Sequence, residues 1–172
     1  PPPVTSAPLP STVPWADPAR RDAFTTWLGS FAGPRGLIVE SLRPASSDAS
    51  FRSYHRVSSR DNSFIVMDAP PDRENIAPWL DIHARLRKAN VNAPELVAVE
   101  RTLGFILMAD LGDLSYLSQL NEQSADLLYR DALNTLYALQ TRVDTNGLET
   151  YHYGKLVAEM ELFPEWFLQR HL

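Results

Sequence analysis

The spacing of apolar residues predicts one helix near the start of the chain. Asp17 is a typical N-cap residue, and Pro18 after it suits the first helical position. Apolar residues then recur at the i, i+3, i+4 and i+7 positions of one helix face, namely Phe24, Trp27, Leu28 and Phe31. We expect Gly33 and Pro34 to end this helix.

From residue 37 the pattern has a period of two, which predicts β-strands. The stretches LIVESL, FRSYHRV and SFIVMDA are separated by the turn-forming sequences SSDAS and SSRDN, so three antiparallel strands are expected. A second hairpin, ELVAVER and GFILMAD with a turn at residues 102–104, brings the predicted sheet to about five strands. Alternation along FRSYHRV places Arg52 and Arg56 on the same face of its strand.

The remaining stretches have helical spacing. Between the two predicted hairpins, PWLDIHARLRKAN is expected to form a helix that ends at Asn90, with Trp79, Ile82 and Leu86 on one side. After residue 124 the pattern is helical, and Pro164 is expected to kink or restart the last helix. The apolar positions of these last helices are Leu128, Leu133, Leu136, Tyr137, Leu156, Met160, Phe163 and Phe167. A sheet followed by helices indicates an α+β fold.

Composition divides the 172 residues into three parts. Residues 1–14 contain six prolines with Ser and Thr between them, so we predict a flexible arm over residues 1–15. The N-terminal helix and the sheet then occupy residues 16–112. The connector and the last helices occupy residues 113–172.

Charge and composition exclude several classes of partner. A net charge of -5 argues against a nucleic-acid partner, because binding phosphodiester backbones requires clustered cations. The chain has no cysteine, which fits a reducing cytoplasm, and we expect that location. A membrane-spanning helix needs about 18 consecutive apolar residues, and no stretch of the sequence is that long, so no membrane partner is expected. Only Lys88 and Lys155 are lysines, so arginine supplies nearly all the positive charge.

Three groups of polar or aromatic residues have competing interpretations. The four histidines lack HxxxH or HExxH spacing, so no zinc site is expected. Asp110 and Asp113 could be interpreted as a catalytic acid and base. Two carboxylates around a glycine are more simply explained as a hinge turn. The aromatic residues are predicted to belong to the core, with stacking against a sugar as the alternative; they are Trp79, Phe163, Trp166 and Phe167.

Four stretches carry a resemblance to a known family: SDASFRSYHRV, FIVMDAPP, GFILMADLG and LVAEMELFPEWFLQRHL. They resemble the aminoglycoside phosphotransferase family, and within it most of all the bacterial kinases that phosphorylate the anomeric hydroxyl of N-acetylmuramate and N-acetylglucosamine. The resemblance covers roughly residues 20–172. It implies a protein-kinase-like small lobe of about five antiparallel strands and a crossing helix, followed by the first helices of a large lobe.

The resemblance implies that the first hairpin covers the triphosphate of ATP. Small residues at its tip let backbone N–H groups approach phosphate oxygens. The tip residues are Ser46, Ser47, Asp48, Ala49 and Ser50. The tip contains no glycine, unlike the G-x-G-x-x-G loop of protein kinases, and an ordinary Ser/Asp-rich turn is the alternative interpretation.

The resemblance also exposes a departure at the third strand. The lysine that contacts phosphates in the wider kinase fold falls at Met67, and its glutamate partner falls near Leu80 or Asp81. Because phosphate still needs a cation, we expect Arg52 or Arg56 to supply it. The alternative is that both arginines face solvent.

The stretch GFILMADLG corresponds to the fifth strand and the hinge of the family. The resemblance implies that Met108 lines the base pocket, that the carbonyl of Asp110 accepts from the adenine amine, and that the N–H of Leu111 donates to the ring. A core strand that ends in a turn is the alternative. No catalytic residue and no metal ligand is assigned within the chain.

The expected function is that of an ATP- and magnesium-dependent kinase acting on a sugar hydroxyl, for example an amino sugar of cell-wall recycling. The catalytic H-x-D-x-x-x-x-N loop and the later Asp motif do not occur in residues 1–172, so we expect this chain to be inactive alone, with magnesium ligands elsewhere. One alternative is a non-catalytic nucleotide-binding or interaction module that self-associates through apolar faces of residues 127–172. The other is an unrelated α+β protein.

Overall fold

A five-stranded antiparallel sheet with the strand order β1-β2-β3-β5-β4 forms the centre of the protein. The computed structural model describes Val13, Trp15 and residues 17–47 and 50–171. The strands are β1 Leu37–Ser47, β2 Ser53–Ser59, β3 Ser63–Asp68, β4 Leu96–Glu100 and β5 Phe105–Ala109. The α-helices are α1 Pro18–Gly29, α2 Ala32–Arg35, α3 Ile76–Lys88, α4 Tyr116–Gln119, α5 Ala125–Arg142, α6 Tyr153–Leu162 and α7 Gln169–His171, with a π-helix at Phe163–Leu168. The predicted α+β class is confirmed.

Helix α1 begins as the sequence predicts, because the side chain of Asp17 accepts a hydrogen bond from the N–H of Ala19 at 2.9 Å. The predicted end is wrong. The helix stops at Gly29, and Gly33 and Pro34 lie inside the short helix α2. A proline in a first helical turn removes only an N–H that has no partner within the helix, so Pro34 is tolerated there.

One face of the sheet packs against α1. Phe24 is fully buried, and its ring centroid lies 5.2 Å from that of Phe105, 4.9 Å from that of Trp15 and 5.8 Å from that of His55. Such edge and tilted aromatic contacts add to the free energy of burial. Burial also lowers the pKa of His55, which favours the neutral imidazole in this core.

An ion pair beneath α1 joins three elements. The Nε atom of Arg20 donates to Asp68 at 2.9 Å, and its Nη2 atom donates to the carbonyl of Leu103 at 2.9 Å. The guanidinium lies 4.6 Å from the ring centroid of Phe105. Arg20 thus ties α1 to the end of β3 and to the turn between β4 and β5.

The other face of the sheet packs against α3, which buries Ile76 and Leu80. The predicted buried side is wrong in part, because Ile82 is 41% exposed. The helix begins earlier than expected, at the N-cap Asn75, whose side chain accepts from the N–H of Ala77. Because the helix begins here, it includes Ile76, which lies four residues before Leu80 and packs on the same side against the sheet.

The ends of α3 and of the chain follow two further predictions. Asn90 has a φ of 56°, the left-handed conformation that ends helices, so the predicted stop is confirmed. Pro164 lies in the first turn of the π-helix, so the predicted interruption of the last helix is also confirmed. None of the described residues of α5, α6 and the π-helix is buried.

The terminal aromatic residues therefore do not form the core that the sequence predicts. Phe163, Trp166 and Phe167 are each at least half exposed, and their stacking is local. The rings of Phe163 and Phe167 stack 5.2 Å apart, and the Arg170 guanidinium lies 4.0 Å from the ring centroid of Trp166. These contacts link only neighbouring helical turns. None of the described helices is both long enough and apolar enough to cross a membrane.

Candidate functional site

A cleft of about 290 Å³ lies between the first hairpin and the segment after β5. Its lining residues are Ala45, Ser46, Tyr54, Arg56, Ile65, Pro94, Met108, Ala109, Asp110, Leu111, Gly112 and Asp113. The last four residues of this list, residues 110–113, are called the hinge below. Five residues that the sequence analysis predicted for the nucleotide site thus line one cleft, namely Ser46, Arg56, Met108, Asp110 and Leu111.

Arg56 is bound to both carboxylates of the hinge. Its Nε and Nη2 atoms donate to Asp110 at 2.5 and 3.0 Å, and its Nη1 atom donates to Asp113 at 2.6 Å. Only 11% of the Arg56 side chain is exposed, so the interpretation of Arg56 as a solvent-facing residue is wrong. These hydrogen bonds raise the pKa of Arg56 above its ordinary value.

Asp110 accepts two more hydrogen bonds, from the Ser63 hydroxyl at 2.6 Å and from the N–H of Gly112 at 2.9 Å. Hydrogen bonding by the Arg56 guanidinium lowers the pKa of Asp110 to about 2. A carboxylate with so low a pKa is a poor proton acceptor near neutral pH. The geometry therefore favours the structural interpretation of Asp110 over the acid–base interpretation.

We expect the contribution of Asp110 to stability to depend on pH. Its folded-state pKa lies below the unfolded value, so the contribution is present above about pH 4 and is lost as pH falls through about 2. The shift corresponds to about 2 kcal/mol. Urea unfolding of the parent and of Asp110→Asn should differ by this amount at pH 7 and converge near pH 2. Asp61→Asn, at an exposed turn, is the control, and a pH-independent difference would contradict the prediction.

The described end of the first hairpin is tied to the segment before α3. The N–H of Phe51 donates to the Glu74 carboxylate at 3.0 Å, and the Arg73 guanidinium lies 4.8 Å from the Phe51 ring centroid. The Nε atom of Arg52 donates to the Ser50 hydroxyl at 3.0 Å. Sequence reasoning missed Glu74, because a lone surface glutamate carries no motif.

The hairpin residues are only partly described. Ser47 ends β1, and Ser50 lies at the start of the returning segment. Asp48 and Ala49 lie outside the described residues, as does most of the predicted arm. Arg52 does not line the cleft beside the hinge but borders two neighbouring depressions, one of them against α3.

The resemblance predicts that Met67 stands at the position of the kinase lysine, with Leu80 or Asp81 near the position of its glutamate partner. Met67 is fully buried in the same apolar cluster as Leu80 on α3. Asp81, the other candidate for the glutamate position, is paired with Arg85 at 2.9 Å. One buried apolar cluster thus contains side chains of both β3 and α3. Within the described residues no three His, Asp or Glu side chains come together as a metal site.

Comparison with known proteins identifies the family. A model of the phosphotransferase enzyme family matches residues 41–171. The chain is 40% identical over 166 residues to an N-acetylmuramate/N-acetylglucosamine kinase of Pseudomonas aeruginosa, covering 91% of this chain and 48% of the relative. The enzyme of the same name from Pseudomonas putida is 39% identical over 160 residues, covering 92% of this chain and 45% of the relative.

A third relative of that name, from Neisseria meningitidis serogroup B, is 32% identical over 158 residues, covering 89% of this chain and 46% of the relative. The chain thus spans about half the length of the curated relatives that it matches. The fold is similar to that of the aminoglycoside phosphotransferase APH(2″)-IIa in its streptomycin–ATP ternary complex. The TM-score is 0.55 at 14% identity, covering 93% of this chain and 56% of that chain. Together with the family match over most of its residues, these similarities show that the chain belongs to the phosphotransferase enzyme family.

Proposed function

We propose that this chain is the nucleotide-binding lobe, with the first helices of the second lobe, of an ATP-dependent kinase that phosphorylates a hydroxyl group of an amino sugar. The observation that carries the proposal is the 40% identity to an N-acetylmuramate/N-acetylglucosamine kinase over 91% of the chain. An amino sugar of this type, released during cell-wall recycling, is the proposed acceptor.

The cleft supports a nucleotide as the ligand of this lobe. Ile65 and Met108 offer apolar surface for a base, and the hinge beside them offers backbone groups. We propose that the carbonyl of Asp110 accepts from adenine and that the N–H of Leu111 donates to it. The phosphates would then extend toward the first hairpin, residues 47–50.

Arg52 is the proposed cation for the phosphates, because it is the arginine beside the first hairpin, toward which the phosphates would extend. Arg52 lies at the base of the hairpin, bonded to Ser50. Its guanidinium matches the geometry of phosphate oxygens. Met67, at the position of the usual lysine, contributes packing rather than charge.

We propose that the chain alone binds nucleotide without transferring phosphate. The two carboxylates of the hinge, Asp110 and Asp113, are already bonded to Arg56, and we assign magnesium no ligand here. Asp110 is held by four hydrogen bonds and is unsuited to orient an acceptor hydroxyl as a base. In this proposal, the magnesium ligands and the residue that orients the acceptor hydroxyl belong to the catalytic half of the complete enzyme.

Nucleotide binding is the direct test. We expect ATP to raise the melting temperature of the chain and to perturb NMR signals of residues 50–56. In Arg52→Ala the dissociation constant for ATP should rise about fivefold, and in the complete enzyme the KM for ATP should rise similarly. Arg60→Ala, which removes an exposed arginine from the β2–β3 turn, is the matched control. Absence of any ATP effect on the parent chain would refute the nucleotide assignment.

The exposed helices favour one alternative, an interaction module that self-associates. Residues 127–172 carry many large apolar side chains at the surface, among them Leu127 at 70% and Met160 at 73% exposure. Sedimentation analysis across protein concentrations distinguishes the two proposals. A stable dimer that does not bind ATP would favour the interaction module, whereas a monomer that binds nucleotide would favour the kinase lobe.

A further inference from the structure

Arg56 lies on the face of the sheet that borders the cleft. Arg56 pairs in register with Ile65 on β3, and Ile65 pairs with Met108 on β5, so the three residues form one row. Side chains of directly paired residues project from the same face of a sheet. The hydrogen bonds from Arg56 to Asp110, two residues beyond Met108, therefore join β2 to the segment after β5, two strand spacings or about 10 Å apart.

The guanidinium contacts the hinge at both of its ends. Two nitrogen atoms hold Asp110, where β5 ends, and the third holds Asp113, the last residue of the hinge. Between them, Gly112 has a φ of 86°, and its N–H donates to the carboxylate of Asp110. The path of the hinge backbone therefore depends on a carboxylate that Arg56 orients.

We infer that Arg56 is a positioning residue, which holds the hinge backbone in the direction needed to bind the nucleotide base and does not contact phosphate. Moving its guanidinium to a phosphate would break three hydrogen bonds to carboxylates, which are among the stronger hydrogen bonds in proteins. Because this inference rests on the proposed nucleotide site, its test must separate the base from the phosphates.

The inference predicts equal losses for ligands with and without phosphate. In Arg56→Lys, a single ammonium cannot reproduce the fork that holds two carboxylates. Calorimetric dissociation constants for adenosine and for ATP should both rise by about tenfold. A rise for ATP alone, with adenosine unchanged, would show that Arg56 binds phosphate and would overturn the inference. Arg43→Met is the matched control, because Arg43 is exposed and pairs with Arg56 on the adjacent strand.

A second measurement needs no ligand, so it remains informative if the nucleotide proposal fails. Amide hydrogen exchange of the nucleotide-free protein should be faster at residues 111–113 in Arg56→Lys, while residues 63–66 of β3 keep the parent rates. Asp113→Ala removes the other partner of the same contact. The Asp113 side chain is 78% exposed, so this variant is expected to fold. Unchanged hinge exchange in both variants would refute the positioning role, whether or not the parent binds adenosine.

Discussion

Replacing Gly104 by alanine is expected to lower the free energy of unfolding by about 4 kcal/mol. Part of the loss comes from the left-handed backbone conformation at this position, and the rest from the steric overlap of the added methyl group. Gly104 has a φ of 71°, and an added Cβ atom would lie 1.9 Å from the backbone carbonyl oxygen of Ala69. The two backbones are also bonded there, since the N–H of Ala69 donates to the carbonyl of Gly104 at 2.9 Å. The alanine must therefore push the end of β3 away from the β4–β5 turn.

Urea unfolding followed by circular dichroism would measure this loss, with Gly147→Ala as the matched control. Gly147 also has a positive φ, 78°, but an added Cβ atom there would meet nothing within 4 Å. The control should therefore lose only the conformational part, about 1 kcal/mol. Equal losses in the two variants would show that the close approach of Gly104 to Ala69 contributes nothing.

Arg20→Ala is expected to lower the free energy of unfolding by about 3–5 kcal/mol, because it leaves a buried carboxylate without its partner. The Asp68 side chain is only 8% exposed, and the Arg20 side chain 16%. The substitution also leaves the Leu103 carbonyl without its side-chain donor and removes the guanidinium from the Phe105 ring. Unfolding free energies from guanidinium chloride titration would measure the effect.

A double-mutant cycle identifies the cause of that loss. Replacing Asp68 by asparagine in the Arg20→Ala background removes the unpaired charge, so the double variant should be more stable than the sum of single losses predicts. Arg21→Ala is the control on the same helix, because Arg21 and its partner Asp22 are exposed and such pairs contribute at most about 1 kcal/mol. Additive losses at Arg20 and Asp68 would contradict the ion-pair explanation.

The helices and strands were largely predictable because their signals are local. The Asp17 cap, the period-two stretches and the stop at Asn90 each depend on backbone geometry within a few residues, and the structure contains all three. The end of α1 was less predictable, since Gly33 and Pro34 suit both a helix end and the first turn of another helix. The domain boundary near residue 112 stays a prediction.

The buried side of α3 shows the limit of pattern reasoning. Ile76 with Leu80, and Trp79 with Ile82, are both apolar pairs at helical spacing. Only the position of the sheet selects the first pair for burial. Trp79 is only partly buried against the same cluster and stacks on His83, and Ile82 is exposed. Both residues border an open groove of about 380 Å³.

By itself, the sequence determined the α+β class, the order of the elements, the family resemblance and some of the residues that line the cleft. The tertiary structure alone decided that Arg56 pairs with Asp110 and Asp113 and that Met67 is buried in the same apolar cluster as Leu80. Helical and strand periods repeat every few residues and can be read locally. Contacts such as that between Arg56 and Asp110 join residues 54 positions apart, so they depend on strand register and on the reach of one side chain.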